Sequence, residues 1–97
     1  MFRHAALFRF TPESTDAQRD ELVAALRTLP SVIPEIRDYR LGFDAGVAEG
    51  NFDLAVVGDF DDVEAWRRYM ADAEHQRIIA ELLRPILAER VAVQYEP

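Results

Sequence analysis

The stretch "FDLAVVGDF", residues 52–60, followed by "DDVEAWRRYMAD", residues 61–72, decides the fold. Alternation over 52–60 predicts a strand, with Phe52, Leu54, Val56 and Phe60 along one face. Ala55 and Val57 make the opposite face apolar too, as expected of a central strand covered on both sides. The next residues predict a helix opening at Asp61, with Glu64 as its capping partner. Val63, Trp66 and Met70 share a narrow apolar stripe on that helix, and Tyr69 falls on its flank.

Working outward, "RHAALFRF" at 3–10 also alternates. His4, Ala6, Phe8 and Phe10 face one way, and Arg3, Ala5, Leu7 and Arg9 the other. "TPESTDAQRDELVAALRTLP" at 11–30 predicts a helix. Thr15 and Gln18 form a capping box, and Asp16 suits the positive end of the helix dipole. Leu22, Val23, Leu26 and Leu29 are its buried stripe, and Pro30 and Pro34 end it. "EIRDYRLGF", residues 35–43, predicts a second strand, with Tyr39, Leu41 and Phe43 on one side. "AEHQRIIAELLRPIL", residues 73–87, predicts a helix kinked near Pro85. "RVAVQYE", residues 90–96, predicts the last strand. The order β-α-β then β-α-α-β is the split ferredoxin-like plan. The expected class is α+β, a four-stranded antiparallel sheet with helices on one face. Residues 1–97 are expected to form a single domain.

Composition narrows the function classes. Eleven basic residues against eighteen acidic ones leave a net charge of −7. Nucleic-acid binders need phosphate-neutralising basic patches, and here acidic residues interleave with most arginines, so no nucleic-acid partner is expected. No apolar run approaches the ~20 residues of a membrane span. The charged residues in "MFRHAALFRF" argue against a signal peptide. There is no cysteine, which removes disulfides and thiolate chemistry and fits a cytoplasmic location. Asp59, Asp61 and Asp62 read as a strand end and a helix cap, so no metal site is expected. No phosphate loop, serine elbow or zinc motif is present, and no cofactor is expected.

The chain has only two histidines, His4 and His75. His4 lies on the strand face that takes the helices. His75 shares a helical face with Ile78, Ile79 and Leu82. With Tyr69 at the edge of the preceding helix, all three side chains are expected to point into one space between sheet and helices. An imidazole exchanges protons near neutral pH, and a phenol donates to a developing oxyanion. Phe8, Phe10, Leu54, Val56, Ile78 and Leu82 are the expected apolar walls, and Gln94 on the last strand is expected to line the same pocket. A histidine on an apolar face is also commonly a core residue satisfied by one hydrogen bond, and that structural role stands beside the chemical one.

"RHAALFRF", "LRTLPSVIPEI", "FDLAVVGDFDDVEAWRRYM" and the spacing of Tyr69 and His75, taken together over residues 3–96, resemble the stress-responsive α/β-barrel (Dabb) family. The resemblance implies a ferredoxin-like subunit whose sheet pairs with a second copy into a dimeric α+β barrel. That pairing would cover Ala5, Leu7, Ala55 and Val57. One plant member of the family is a cofactor-free polyketide cyclase, and its working groups correspond to His4, Tyr69 and His75 here. Ala73 stands where the family often has proline. Gln94 stands where the cyclase has an aspartate that orients its helix histidine; an amide hydrogen-bonds a ring but gives no charge to an imidazolium. The expected function is a homodimer binding a hydrophobic or aromatic small molecule, with cofactor-free acid–base chemistry at His75, Tyr69 and His4. The alternatives are a non-catalytic dimeric interaction module and a cofactor-independent monooxygenase.

Overall fold

The computed structural model describes residues 1–97. β1 (Phe2–Phe10) leads into α1 (Asp16–Arg27), then β2 (Asp38–Phe43) and β3 (Leu54–Phe60). α2 (Val63–Ala71) and α3 (Ala73–Ile78) follow, and β4 (Leu87–Tyr95) closes the chain. The four strands form one antiparallel sheet in the order β2-β3-β1-β4. Each half thus crosses over a strand contributed by the other half, which is the ferredoxin-like α+β arrangement. No helix is long and apolar enough to cross a membrane.

Helix α1 starts as its sequence demands. Thr15 Oγ1 accepts from Gln18 N, and Gln18 Oε1 accepts from Thr15 N. Leu22, Val23, Leu26 and Leu29 are all buried against the sheet. β2 begins at Asp38 rather than Glu35, because Pro34 and Glu35 form a turn and Ile36 drops into the core. β3 begins at Leu54 rather than Phe52. Asp53 bends the chain there, accepting from Phe10 N at 2.8 Å and donating its own amide to Phe8 O at 2.9 Å.

Helix α2 is capped by Asp62, not Asp61: the Asp62 carboxylate accepts from Ala65 N at 2.8 Å. Asp61 turns away to Arg37. The buried side of α2 is Ala65 and Tyr69, while Trp66 and Met70 only edge the core and Val63 is exposed. Ala65 is small enough to let the helix approach the sheet. Tyr69 is then gripped by three rings, with centroids 4.9 Å away at Phe60, 6.0 Å at Tyr39 and 4.3 Å at His75.

The segment after α3 departs furthest from a kinked helix. Ile79–Leu83 is a π turn and Arg84–Ile86 a 3₁₀ turn, with β4 starting directly at Leu87. Pro85 has no N–H to give to residue 81, and its ring crowds that carbonyl. The chain widens so that Arg84 N reaches Ile79 O, five residues back. A wide turn adds one residue to the apolar repeat. The buried stripe therefore runs His75, Ile78, Leu83, and Leu82 is pushed to the margin.

The strand register sets out the two sheet faces. Toward the helices, one row reads Tyr39, Gly58, His4, Gln94, and the next reads Leu41, Val56, Ala6, Ala92. A third row reads Phe43, Leu54, Phe8, Arg90. Gly58 matters in the first row: a Cβ there would stand 3.0 Å from the Phe60 ring and 3.4 Å from Tyr39. The opposite face carries the rows Ala55, Leu7, Val91 and Val57, Ala5, Val93, flanked by a bidentate Arg3–Asp59 pair at 2.6 and 2.8 Å. Leu7, Val91 and Val93 are exposed on this helix-free face.

Candidate functional site

The first inner row places His4 between Gly58 and Gln94. Its partner follows from that register: Gln94 Nε2 lies 2.9 Å from His4 Nδ1. An amide NH2 donating to Nδ1 leaves the ring proton on Nε2. The ring of Trp66 covers His4 at a centroid distance of 5.4 Å, and Trp66 Nε1 is itself buried without a hydrogen-bond partner. Burial is the main force on His4, and the positive charge of Arg90 adds to it. Together they lower its pKa to about 4, so His4 is neutral at pH 7.

His75 is placed by the junction of α2 and α3. Asp72 ends α2 and caps α3, its Oδ1 accepting from Glu74 N and His75 N at 2.9 and 3.1 Å. The turn directs the His75 ring against Tyr69. His75 Nδ1 is buried with no hydrogen-bond partner, and the Met70 carbonyl is taken by Gln76 Nε2. Burial lowers the pKa of His75, and the nearby Met70 carbonyl and Asp72 carboxylate oppose the shift only in part.

Tyr69 completes the group. Its hydroxyl is 2.7 Å from that of Tyr39. Burial pushes its pKa up to about 12, against a lowering influence from the Tyr39 hydrogen bond and from Arg90. Burial holds the Tyr39 phenol still higher. The contact fits either hydroxyl as the donor; with Tyr39 donating, Tyr69 keeps its own proton to give away. Donation into Tyr69 also makes it the better donor.

His4, Tyr69 and His75 line one cavity of about 350 Å³ between sheet and helices. Phe8 and Val56 line it as well, joined by Ala6, Leu26, Ile79 and Leu83. Phe10, Leu54 and Ile78 lie in the core outside that lining, and Leu82 has been displaced from it by the π turn. Gln94 is not part of the wall; it acts on His4 from behind. Asp59, Asp61 and Asp62 are each committed separately, to Arg3, Arg37 and the α2 cap.

Tyr39, Arg84 and Arg90 also line the cavity and were not singled out by the sequence. Strand alternation carried a signal for Arg90, since it puts Arg90, Ala92 and Gln94 opposite Val91 and Val93. The pairing of Tyr39 with Gly58 needed the sheet register. Arg84 needed the π turn.

Fold and site together define a ferredoxin-like α+β protein with a helix-covered cavity that holds two neutral imidazoles and a tyrosine pair. The chain belongs to the stress responsive A/B barrel (Dabb) domain family, whose model matches residues 2–97. It is similar to a dimeric ferredoxin-like protein of unknown function from Thermobifida fusca YX. Identity is 42% over 99% of this chain and 90% of that one, with a TM-score of 0.91. A Dabb family protein from Mesorhizobium loti MAFF303099 shares the fold at 16% identity, over 99% of this chain and 95% of that one, with a TM-score of 0.82. A hydroxynitrile lyase from Passiflora edulis shares it at 20% identity, over 97% and 90%, with a TM-score of 0.84. No curated protein matches the chain.

Proposed function

We propose that this chain forms a homodimeric α+β barrel in which each protomer binds a hydrophobic small molecule and moves a proton on it without a cofactor. The observation that carries the reading is the convergence of both histidines and Tyr69 on one cavity. His75 is the base. Its ring is neutral, its Nδ1 has no protein partner, and a bound substrate is what would complete its hydrogen bonding. Tyr69 donates to the oxyanion that develops when the proton leaves. His4, with its tautomer held by Gln94, presents an Nε2–H that orients the same oxygen. The dimer is supported by the exposed apolar rows on the helix-free face and by similar proteins described as dimeric.

One observation favours a second reading, a binding module without turnover. Burial depresses both histidines and no carboxylate is hydrogen-bonded to either ring, so an imidazolium formed during reaction has little support. Native mass spectrometry of the purified dimer, followed by titration with indole as an apolar probe, tests the cavity. A bound molecule or indole binding that is lost in His75→Leu and weakened in Tyr69→Phe is expected. A cavity that retains nothing and takes up no indole overturns the reading.

A further inference from the structure

All eleven basic side chains of this protein are arginines. Seven of them, Arg3, Arg9, Arg37, Arg40, Arg67, Arg68 and Arg77, form ion pairs with Asp or Glu. Arg19 donates to Ser14 Oγ, and Arg27 to Leu41 O. That leaves Arg84 and Arg90 with neither an ion pair nor a hydrogen bond, in a chain with eighteen acidic residues available. Both line the same cavity as His4, Tyr69 and His75. They approach from unrelated elements, Arg84 from the 3₁₀ turn after the π turn and Arg90 from the helix-facing side of β4. Both are exposed while the imidazoles and Tyr69 are buried, so the guanidiniums stand at the rim and the neutral groups at the floor.

We propose that the cavity takes a small apolar carboxylate, with the carboxylate held at the rim by Arg84 and Arg90 and the hydrocarbon body directed inward. This rests on the cavity being a ligand site. A planar guanidinium matches a carboxylate in two parallel hydrogen bonds, and no other cations line the cavity. The wall formed by Ala6, Phe8, Val56 and Leu83 suits an aromatic or short aliphatic body. At about 350 Å³ the space is at the small end for ligand sites. The orientation follows from the charges: an anion left at the floor would face apolar walls and neutral rings, whereas at the rim it is paired and partly hydrated.

Phenylacetate and its neutral isostere phenylacetamide separate this proposal from the reading beneath it. Affinity is measured by titration calorimetry, and occupancy by NMR shifts of the His75 and Tyr69 rings. Phenylacetate should bind roughly tenfold more tightly than the amide, as expected for a charge-assisted hydrogen bond, and the advantage should shrink at high salt. Arg84→Gln and Arg90→Gln should each lower phenylacetate affinity more than amide affinity, eroding that preference, with the melting temperature unchanged. Arg90→Lys should keep part of it. Equal affinity for the two probes, or a preference that survives both glutamine variants, overturns the carboxylate proposal and leaves the cavity reading standing. If neither probe shifts the His75 or Tyr69 signals, the cavity reading falls and the carboxylate proposal with it.

Discussion

Gln94 donates its side-chain amide to His4 Nδ1, 2.9 Å away on the neighbouring strand, and makes no bond to His75. The two histidines are thus held differently. His4 has a fixed tautomer and a supporting partner. His75 has a positioned backbone and an unpartnered ring nitrogen. Gln94→Leu should free the His4 ring and cost about 1 kcal/mol, the usual net worth of one such hydrogen bond. Long-range ¹⁵N–¹H NMR of the imidazoles checks it. His4 should lose its single tautomer and His75 should be unchanged; an altered His75 alone would contradict the pairing.

The low pKa values make stability depend on pH in a defined window. His4 falls from 6.5 unfolded to about 4 folded, and His75 is shifted in the same direction. Between those values the unfolded chain binds more protons than the folded one. Stability from this source is therefore complete above about pH 6.5 and is lost as pH falls toward 4. For His4 the loss is on the order of 2–3 kcal/mol. Asp59 and Asp61 are shifted below 3.8 by Arg3 and Arg37, so their contribution is lost only at lower pH. Urea unfolding across this range should show a slope that flattens in His4→Leu. An unchanged slope in that variant would exclude His4 as the source.

The hydrogen-bonded hydroxyls of Tyr39 and Tyr69 give a third test. Tyr39→Phe removes the hydrogen bond that opposes the burial-raised pKa of Tyr69, so with Tyr39 as the donor the Tyr69 pKa should rise further above about 12. Tyr69 should also become a poorer donor to a ligand oxygen. The loss of one buried hydrogen bond should cost about 1 kcal/mol. Ultraviolet titration of the phenols in Tyr39→Phe checks the direction, and a fall in the Tyr69 pKa would mean that Tyr69 is the donor instead.

Val57 lies on the helix-free face between Arg40 and Ala5, with apolar Val93 beyond. Val57→Asp should bury a charge in the proposed dimer interface, beside an Arg40 already paired with Asp38, and weaken it by about 3–5 kcal/mol. Light scattering should then report a monomer. A dimer of undiminished stability would place the interface elsewhere.

Local rules sufficed for most of the fold. The alternation of 3–10 and the two-sided apolarity of 54–57 marked the central strands, and the Thr15–Gln18 box marked the start of α1. His4, Tyr69 and His75 were legible as a group because strand and helix periodicity alone turns each toward the same layer. Three features were not legible, for separate reasons. The Gln94–His4 bond joins residues 90 apart and depends on sheet register. The move of the buried stripe from Leu82 to Leu83 depends on how Pro85 is relieved, by a π turn rather than a kink. The cationic rim is visible only once every other arginine has been matched to its partner.

His75→Leu tests what the chain gives up to keep an imidazole on the buried stripe. The ring gains no side-chain hydrogen bond from the protein, and its Nδ1 is buried without a partner. A buried polar atom in that condition is a cost to folding. Leucine has nearly the same volume and would join Ile78, Ile79 and Leu83 around it. Gln94 would not be stranded, because it serves His4. The substitution should therefore be neutral or stabilising, by up to about 1 kcal/mol, as expected where a functional group is kept against stability. The change should also abolish binding in the cavity. Thermal melts of the wild type and His75→Leu need no substrate. A loss well above 1 kcal/mol would show that His75 serves the fold rather than the cavity, and would return the base of the proposed reaction to open question.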